Sequence, residues 1–492
     1  MASALSYRRL VESVLATTAT AAMFYFGNGL DPLWPFMWFA PLPVLLFALR
    51  SKWWATAVTA VAAMMLGNLN MWSYFTKTLG MPGSAWVGIF LIASVTFAAG
   101  VLLFRVLVLR GALWSGLLAL PAVWVTSEYV RNVTSPHGSA GSLAYSQLKF
   151  LPFLQLASIT GPWGMSFVLL LFPAAVAIGA YLRQISPKRA LQVVGVGVGV
   201  VAAVLMFGAV RLTKPQTQVV KVGLITSDER GNDTVTDPGP DTERLFRDYA
   251  REAKRLTADG AQVIVMPEKL GVTLEGKAAA TDATLQSVTA QTGATIVAGV
   301  VHVDAPVRYN EARIYVAGST VQRYDKEHML PPFESNLKPG TTLTVLPRSQ
   351  QKWGVAICKD MDFASPARLY GEAGVGLMLV PGWDFVVDGS WHGHIAVMRG
   401  VEDGFSIARA AKKGFLTVSD DRGRILGEVS SGSAPFATLL VDVPTAHSWT
   451  MYQLLGDWFA WVAIALLVLA IIQMLRRSFQ KRGFRKLRLA TE

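Results

Sequence analysis

The feature that most constrains this chain is a series of apolar runs, each roughly 20 residues long, crowded into residues 1–212, with one more at 456–475. A run of that length matches a helix crossing the hydrocarbon core of a bilayer, where each backbone polar group has to be satisfied inside its own segment. The runs fall near 10–27, 33–49, 53–74, 84–104, 112–130, 162–182, 191–212 and 456–475. The first two are also readable as a tight hairpin about Asp31-Pro32. Arg8 and Arg9 ahead of the first run have the look of a signal peptide, but seven further runs favour an uncleaved signal-anchor. Between 216 and 446 the texture changes to the mixed, periodic pattern of a water-soluble domain. With 52% hydrophobic and 16% charged residues, the chain is too apolar for an ordinary soluble protein. The expected fold class is a polytopic α-helical membrane bundle of about eight spans plus an α/β domain. The expected division is 1–215 for the bundle, 216–448 for the α/β domain, and 449–492 for a last helix and basic tail.

Basic residues give the orientation. Arg8, Arg9, Arg50, Lys52, Arg105, Arg110, Arg183, Lys188 and Arg189 occupy alternate connections between the runs. Arg476, Arg477, Lys481, Arg482, Arg485, Lys486 and Arg488 continue the set. By the positive-inside rule these connections and both termini are cytoplasmic, and the α/β domain lies on the opposite side. The net charge of +12 is then a topology signal, and nucleic acid is not an expected partner. The basic tail is suited to anionic lipid.

Within the domain, strands are expected at 219–226, 261–266, 294–303, 312–317, up to Cys358, 376–380, 405–411, 415–419, 424–429 and 435–442. Helices are expected at 241–260, 282–293, from Ser365, and at 391–403. The first of these places Phe246, Tyr249, Ala253 and Leu256 on one face. The repeated glycines of 194–201 belong to an apolar run and lack the strand-turn-helix setting of a nucleotide loop.

Cys358 is the only cysteine, so it makes no internal disulfide and no thiolate metal cluster. It is either a small core hydrophobe or a nucleophile. Two other polar residues also follow strand-like segments, Glu268 after Val263-Ile264-Val265-Met266-Pro267, and Lys326 within Tyr324-Asp325-Lys326-Glu327-His328. Singly, a Pro-Glu is often a turn and a Tyr-Asp-Lys a solvated hairpin edge. Brought together beyond the sheet edge, the three have a definite division of labour. The ammonium favours the thiolate, the carboxylate takes the thiol proton, and the thiolate attacks an acyl carbon. His392 and His394 flank Gly393, but no third ligand has suitable spacing, so no metal is expected.

Glu268, Lys326 and Cys358, in that order, resemble the Glu-Lys-Cys triad of the nitrilase (carbon–nitrogen hydrolase) superfamily. Their surroundings resemble one branch, the apolipoprotein N-acyltransferases. Lys326 through Pro331 with Glu334 is similar to that family's K-x-H…P…E loop, and Trp383, His394, Arg399, Glu402 and Arg409 to its W…H…R-x-x-E…R run. Pro121 to Trp124 with Glu128 and Arg131, and Gln155 to Phe167, resemble two segments of its membrane half. Lys359-Asp360 stand where the family usually has Tyr-Glu, and Phe333 where it usually has Gly.

The resemblance implies an α-β-β-α sandwich and ping-pong acyl transfer without a cofactor. The Cys358 thiolate takes a fatty acyl chain from a phospholipid, and the N-terminal amine of a diacylglyceryl apolipoprotein receives it. Glu268 is then the general base, Lys326 steadies thiolate and oxyanion, and Glu334 supports the lysine. Trp383, His394, Arg399, Glu402, Glu128 and Arg131 become candidates for substrate binding, and Trp449 and Trp458 for interfacial aromatics. With the orientation read from the basic residues, the expectation is a monomer in a bacterial inner membrane with the domain on the periplasmic side. A tethered amidase, or a non-catalytic scaffold or transporter, are the alternatives from other classes.

Overall fold

A computed structural model describes the backbone of residues 2–215, 217–228, 240–348 and 351–489, and the side chains of these except 2–6, 240 and 478–489. Lys481, Arg482, Arg485, Lys486 and Arg488 lie outside the described side chains. The chain forms two compact units. One comprises residues up to Val133, Gly141–Ala209 and the chain from Asp457; the other comprises Thr134–Ala140 and Val210–Gly456.

The first unit contains α1 (Ala2–Gly27), α2 (Leu42–Ala48), α3 (Trp53–Gly67), α4 (Gly83–Leu109), α5 (Leu113–Thr134), α6 (Leu151–Leu154), α7 (Ala157–Leu182) and most of α8 (Pro187–Thr213). Each of the seven apolar runs before the α/β unit meets helix. Five helices among the described residues, the last being the one after the α/β unit, have the length and composition to cross a membrane. The run at 33–49 is broken into a 3₁₀ turn at Trp34–Trp38 and the short α2, with Pro35, Pro41 and Pro43 interrupting the hydrogen-bond ladder. In α5, Pro121, Glu128 and Arg131 lower the hydropathy of an otherwise sufficient length.

The second unit is a sandwich of two sheets. Its strands are β1 (Val219–Thr226), β2 (Val263–Val265), β3 (Val272–Leu274), β4 (Thr295–Asp304), β5 (Val307–Tyr315), β6 (Gln322–Asp325), β7 (Thr344–Arg348), β8 (Gln351–Val355), β9 (Leu377–Trp383), β10 (Ser406–Lys412), β11 (Phe415–Ser419), β12 (Ile425–Ser430) and β13 (Ala437–Pro444). Its helices are α9 (Pro240–Ala258), α10 (Ala279–Thr292), α11 (Ala364–Glu372), α12 (Gly389–Asp403) and α13 (Met451–Leu455); α14 (Trp458–Leu489) follows. One sheet runs β13-β1-β2-β4-β5-β6 with β3 also paired to β4, and the other runs β12-β11-β10-β9-β8-β7. Each has a parallel centre, β1-β2-β4 in one and β8-β9-β10 in the other.

Two-residue periodicity sorts the side chains into layers. Val222, Leu224, Val263, Val265 and Val297 of the first sheet pack with Val355, Leu377, Leu379, Ala408 and Val418 of the second. The alternate residues Ile225, Ile264 and Ile296 face the other way, onto Phe246, Tyr249 and Leu285 of α9 and α10. On the second sheet Met378, Val380 and Ile407 meet Ala367, Tyr370 and Ala396 of α11 and α12. The result is the α-β-β-α sandwich. Three strands had escaped the sequence: β3 is short, and β6 and β7 are sheet edges whose polar residues, and Pro347, mask the alternation.

Candidate active site

Glu268, Lys326 and Cys358 all leave the sandwich just past the ends of strands, β2, β6 and β8 respectively. The connection to β9 fixes two of them side by side. The Glu268 amide donates to the Gly382 carbonyl at 3.2 Å, and the Cys358 thiol donates to the next carbonyl, that of Trp383, at 3.5 Å. Close approach needs small residues here. A Cβ on Gly299 of β4 would come within 2.6 Å of the Glu268 Cα, so only glycine lets the backbone pass.

Cys358 itself has φ of 44°. This left-handed conformation costs a non-glycine residue about 1 kcal/mol or more and persists only where the surroundings impose it. Asp360 is the main restraint. Its carboxylate accepts from the amides of Ile357 (3.0 Å), Glu327 (3.1 Å) and His328 (2.8 Å) and from the Tyr324 hydroxyl (2.8 Å). One buried side chain thus ties the turn carrying the thiol to the loop carrying Lys326. Lys359 turns away from the thiol. Its Nζ lies 3.3 Å from His137 Nδ1 and 4.0 Å from Asp362, and the Ser139 hydroxyl donates to the Asp362 carbonyl. Segment Thr134–Ala140, which begins at the last residue of α5, belongs to the α/β unit and braces this turn.

Around Lys326 the charges interlock. Its ammonium, 2% exposed, donates to Glu268 Oε1 at 2.9 Å and to Glu334 Oε2 at 2.8 Å. Asn310 Nδ2 donates to both carboxylates, at 2.5 and 2.8 Å. Lys269 also pairs with Glu334, which in turn accepts from the Leu330 amide. Burial disfavours the charged lysine, yet Glu268 and Glu334 outweigh it and hold its pKa above the usual lysine range. Burial would also raise the Glu334 carboxyl, but Lys326 and Lys269 hold it below the ordinary carboxylate range. The Cys358 thiol is pushed well up, first by burial and then by Glu268, with Lys326 and Arg409 pulling the other way. For that sulfur to act as a nucleophile, a base would have to take its proton.

The remaining sequence candidates are distributed differently. Trp383 is at the site, its carbonyl on the sulfur and its ring 3.9 Å from Lys412 Nζ and 5.6 Å from Lys269 Nζ. His394 faces Glu428 at 3.5 Å and Ser390 at 3.4 Å. Arg399 and Glu402 pair with each other at 2.6 Å inside the unit. Glu128 accepts from Trp124 Nε1 (2.9 Å), the Leu143 amide (2.8 Å) and Ser142 (3.2 Å), and Arg131 donates to the Gly141 carbonyl. Trp449 is exposed, whereas Trp458 donates to the Ile159 carbonyl at 2.8 Å. Phe333 lies against Phe385. Among the described residues no group of three His, Cys, Asp or Glu is arranged to hold a metal ion.

Sequence reasoning missed Asn310, Lys269 and Asp384. Asn310 did carry a signal, since an asparagine within the strand-like run before Ala312 is out of place in a sheet interior unless its side chain is used.

A thiol, a carboxylate and an ammonium on an α-β-β-α sandwich, in a chain with five membrane-capable helices, define a carbon–nitrogen hydrolase-type unit joined to a membrane bundle. The carbon-nitrogen hydrolase pattern matches residues 242–449, and the apolipoprotein N-acyltransferase N-terminal domain matches residues 20–175. The two matches fall one on each part of the chain, and the first is to the N-terminal domain of apolipoprotein N-acyltransferases. It is 25% identical to the apolipoprotein N-acyltransferase of Geobacter metallireducens over 74% of this chain and 75% of that protein. It is likewise 25% identical to that of Rhodopseudomonas palustris over 95% of each. Among solved structures, an amidase of the nitrilase superfamily from Nesterenkonia aligns at 21% identity and a TM-score of 0.41, covering 47% of this chain and 92% of its own.

Proposed function

We propose that this protein moves a fatty acyl chain from a membrane phospholipid, through a thioester on Cys358, to the N-terminal amine of a diacylglyceryl apolipoprotein. The observation that carries this reading is the placement of the Cys358 thiol and Glu268 on adjacent carbonyls of β9, with Lys326 locked to the Glu268 carboxylate.

Glu268 takes the thiol proton, and the sulfur attacks the ester carbonyl of the lipid. The tetrahedral oxyanion meets the Lys326 ammonium, whose position is fixed in advance by Glu268, Glu334 and Asn310. Collapse breaks the ester C–O bond; the lysophospholipid oxygen leaves with the proton held by Glu268, and the acyl group stays on sulfur. The amine then attacks the thioester, Glu268 takes its proton, the S–C bond breaks to release the amide, and the proton passes from Glu268 back to the sulfur. Glu334 stays ionised and supports the lysine. Trp383 borders the site, its ring between the Lys269 and Lys412 ammonium groups.

Such a reaction suits a chain with this organisation. Both substrates are held by acyl chains, so anchoring the enzyme in the same bilayer replaces a search in solution by one within the interface. In this reading residues 216–448 act on the periplasmic side of a bacterial inner membrane, and 1–215 and 449–492 hold them there with both termini cytoplasmic.

Mass spectrometry of the purified protein incubated with phospholipid alone tests the proposal. An acyl adduct on Cys358, lost in Cys358→Ser and discharged by a diacylated lipopeptide, is the expected result. Lysophospholipid and free fatty acid accumulating without an adduct would instead assign a hydrolase.

A further inference from the structure

The sulfur of Cys358 has two hydrogen-bond partners among the described residues, and neither is Lys326. One is the Trp383 carbonyl, which accepts its proton at 3.5 Å. The other is Arg409, whose Nη2 lies 3.8 Å from Sγ. Lys326, by contrast, directs its ammonium at Glu268 and Glu334. The geometry points to Arg409 as a second catalytic cation, one that holds the Cys358 sulfur while it carries negative charge.

Arg409 is built for a fixed aim. It lies in β10, 1% exposed, paired in parallel register with Val380 of β9. Asp384, also buried, grips it through two bonds, Nη1 at 2.8 Å and Nη2 at 2.5 Å. A two-point grip on a planar guanidinium sets its direction as well as its position. The guanidinium crosses β9 where Gly382 leaves room; a Cβ there would stand 3.1 Å from the Arg409 Cζ. Burial works against charge on this arginine, but Asp384 outweighs it, so the cation is permanent.

This assignment rests on Cys358 being the nucleophile of the proposed function, and it divides the electrostatic work. In the first step the S–H bond breaks, the proton passes to a Glu268 carboxylate oxygen, and the charge left on sulfur faces the guanidinium. Arg409 gives up no proton. When the thioester is later discharged, the S–C bond breaks and its electron pair returns to sulfur, again facing Arg409. Lys326 is thereby left for the carbonyl oxygen. One cation serves the leaving and attacking sulfur, and the other serves the oxyanion.

The test uses the full chain in detergent micelles and reads the rate of iodoacetamide alkylation at Cys358 against pH. Because this is the only cysteine, the mass of the intact chain reports the reaction without ambiguity. Arg409→Gln is expected to move the alkylation profile to higher pH by about one unit, roughly tenfold slower labelling at neutral pH. Arg409→Lys is expected to recover part of the shift, since it keeps the charge but loses the two-point grip. A folded Arg409→Gln protein, judged by unchanged melting, with the wild-type profile would overturn the assignment. If the single variant does not fold, Arg409→Gln with Asp384→Asn replaces the ion pair by two amides. Its profile is still expected to shift to higher pH, because the guanidinium is what faces the sulfur, and an unshifted profile sinks the idea equally. Alkylation needs no lipid or lipopeptide, so this result is independent of whether the acyl adduct forms.

Discussion

Glu128 in the membrane unit and the pair Glu268 and Glu334 in the α/β unit are almost equally buried, between 1% and 2% exposed, but their partners differ in kind. Every donor to Glu128 is neutral, an indole, an amide and a hydroxyl, and together they fix the chain entering the 3₁₀ turn at Leu143–Gln147. Glu268 and Glu334 instead share two ammonium groups and one bridging amide. A carboxylate held by neutral donors is a fastening. Carboxylates that share fixed cations build a charged cluster instead, in which the ammonium of Lys326 and the carboxylate of Glu334 hold each other in the ionised form.

The contrast is broken most severely at Glu268. Glu268→Gln keeps the acceptor for Asn310 but removes the base, and lipopeptide acylation is expected to fall about 10²- to 10⁴-fold with melting little changed. If turnover survives, another group takes the thiol proton. Next is Asn310→Asp, which sets a third carboxylate against the other two. It is expected to lower both acylation and thermal stability, and to recover partly in acid, where one carboxyl accepts a proton. Retained activity at neutral pH would show that the bridging amide is dispensable.

A milder effect belongs to Glu334. Its carboxyl is held below the ordinary range in the folded protein, so its contribution to stability is fully present above the ordinary carboxylate pKa of about 4.3 and is lost as pH falls through the lower folded value. Thermal melts from pH 6 downward are expected to show a decline that Glu334→Gln lacks. His392 gives the opposite sign. It sits between Asp362 (3.4 Å) and Asp388 (3.5 Å), and although burial opposes the charge, these carboxylates raise its pKa to about 10. Its contribution is full below about 6.5 and fades as pH rises toward that higher value, a decline that His392→Gln is expected to abolish. The smallest change is expected at Glu128. Glu128→Gln keeps one carbonyl acceptor and loses about one hydrogen bond, roughly 1 kcal/mol, with acylation within about twofold of wild type. A large loss of activity there would move Glu128 out of the fastening class.

Much of this was legible in the chain. Apolar runs of bilayer length announced the helices because the hydrocarbon core leaves a backbone few other ways to satisfy its polar groups. Continuous apolar runs such as Val263-Ile264-Val265 announced strands buried on both faces. Glu268, Lys326 and Cys358 stood out because polar residues closing apolar strands are rare without a use. The same logic did not reach Asp384. In Trp383-Asp384-Phe385 an aspartate after a strand reads as a turn, and only the parallel pairing of β9 with β10 reveals that it grips Arg409. Lys359 and Asp360 were equally opaque. In sequence they are only a departure from the family's usual Tyr-Glu, whereas in the structure Asp360 fastens two loops and Lys359 faces His137.

What the sequence by itself determined was therefore the division into membrane-capable helices and an α/β unit, the order of ten of the strands along the chain, and the three polar residues that close apolar strands and meet at one place. These follow from local patterns of burial, which depend on neighbours in sequence. The tertiary structure alone decided the partners: Asn310 between two carboxylates, Asp360 under the turn that carries Cys358, and Asp384 aiming Arg409 at the sulfur. Those contacts that cross between segments join residues 24 to 51 positions apart through sheet register and strand crossing. No periodicity within a segment encodes which side chains meet across two strands.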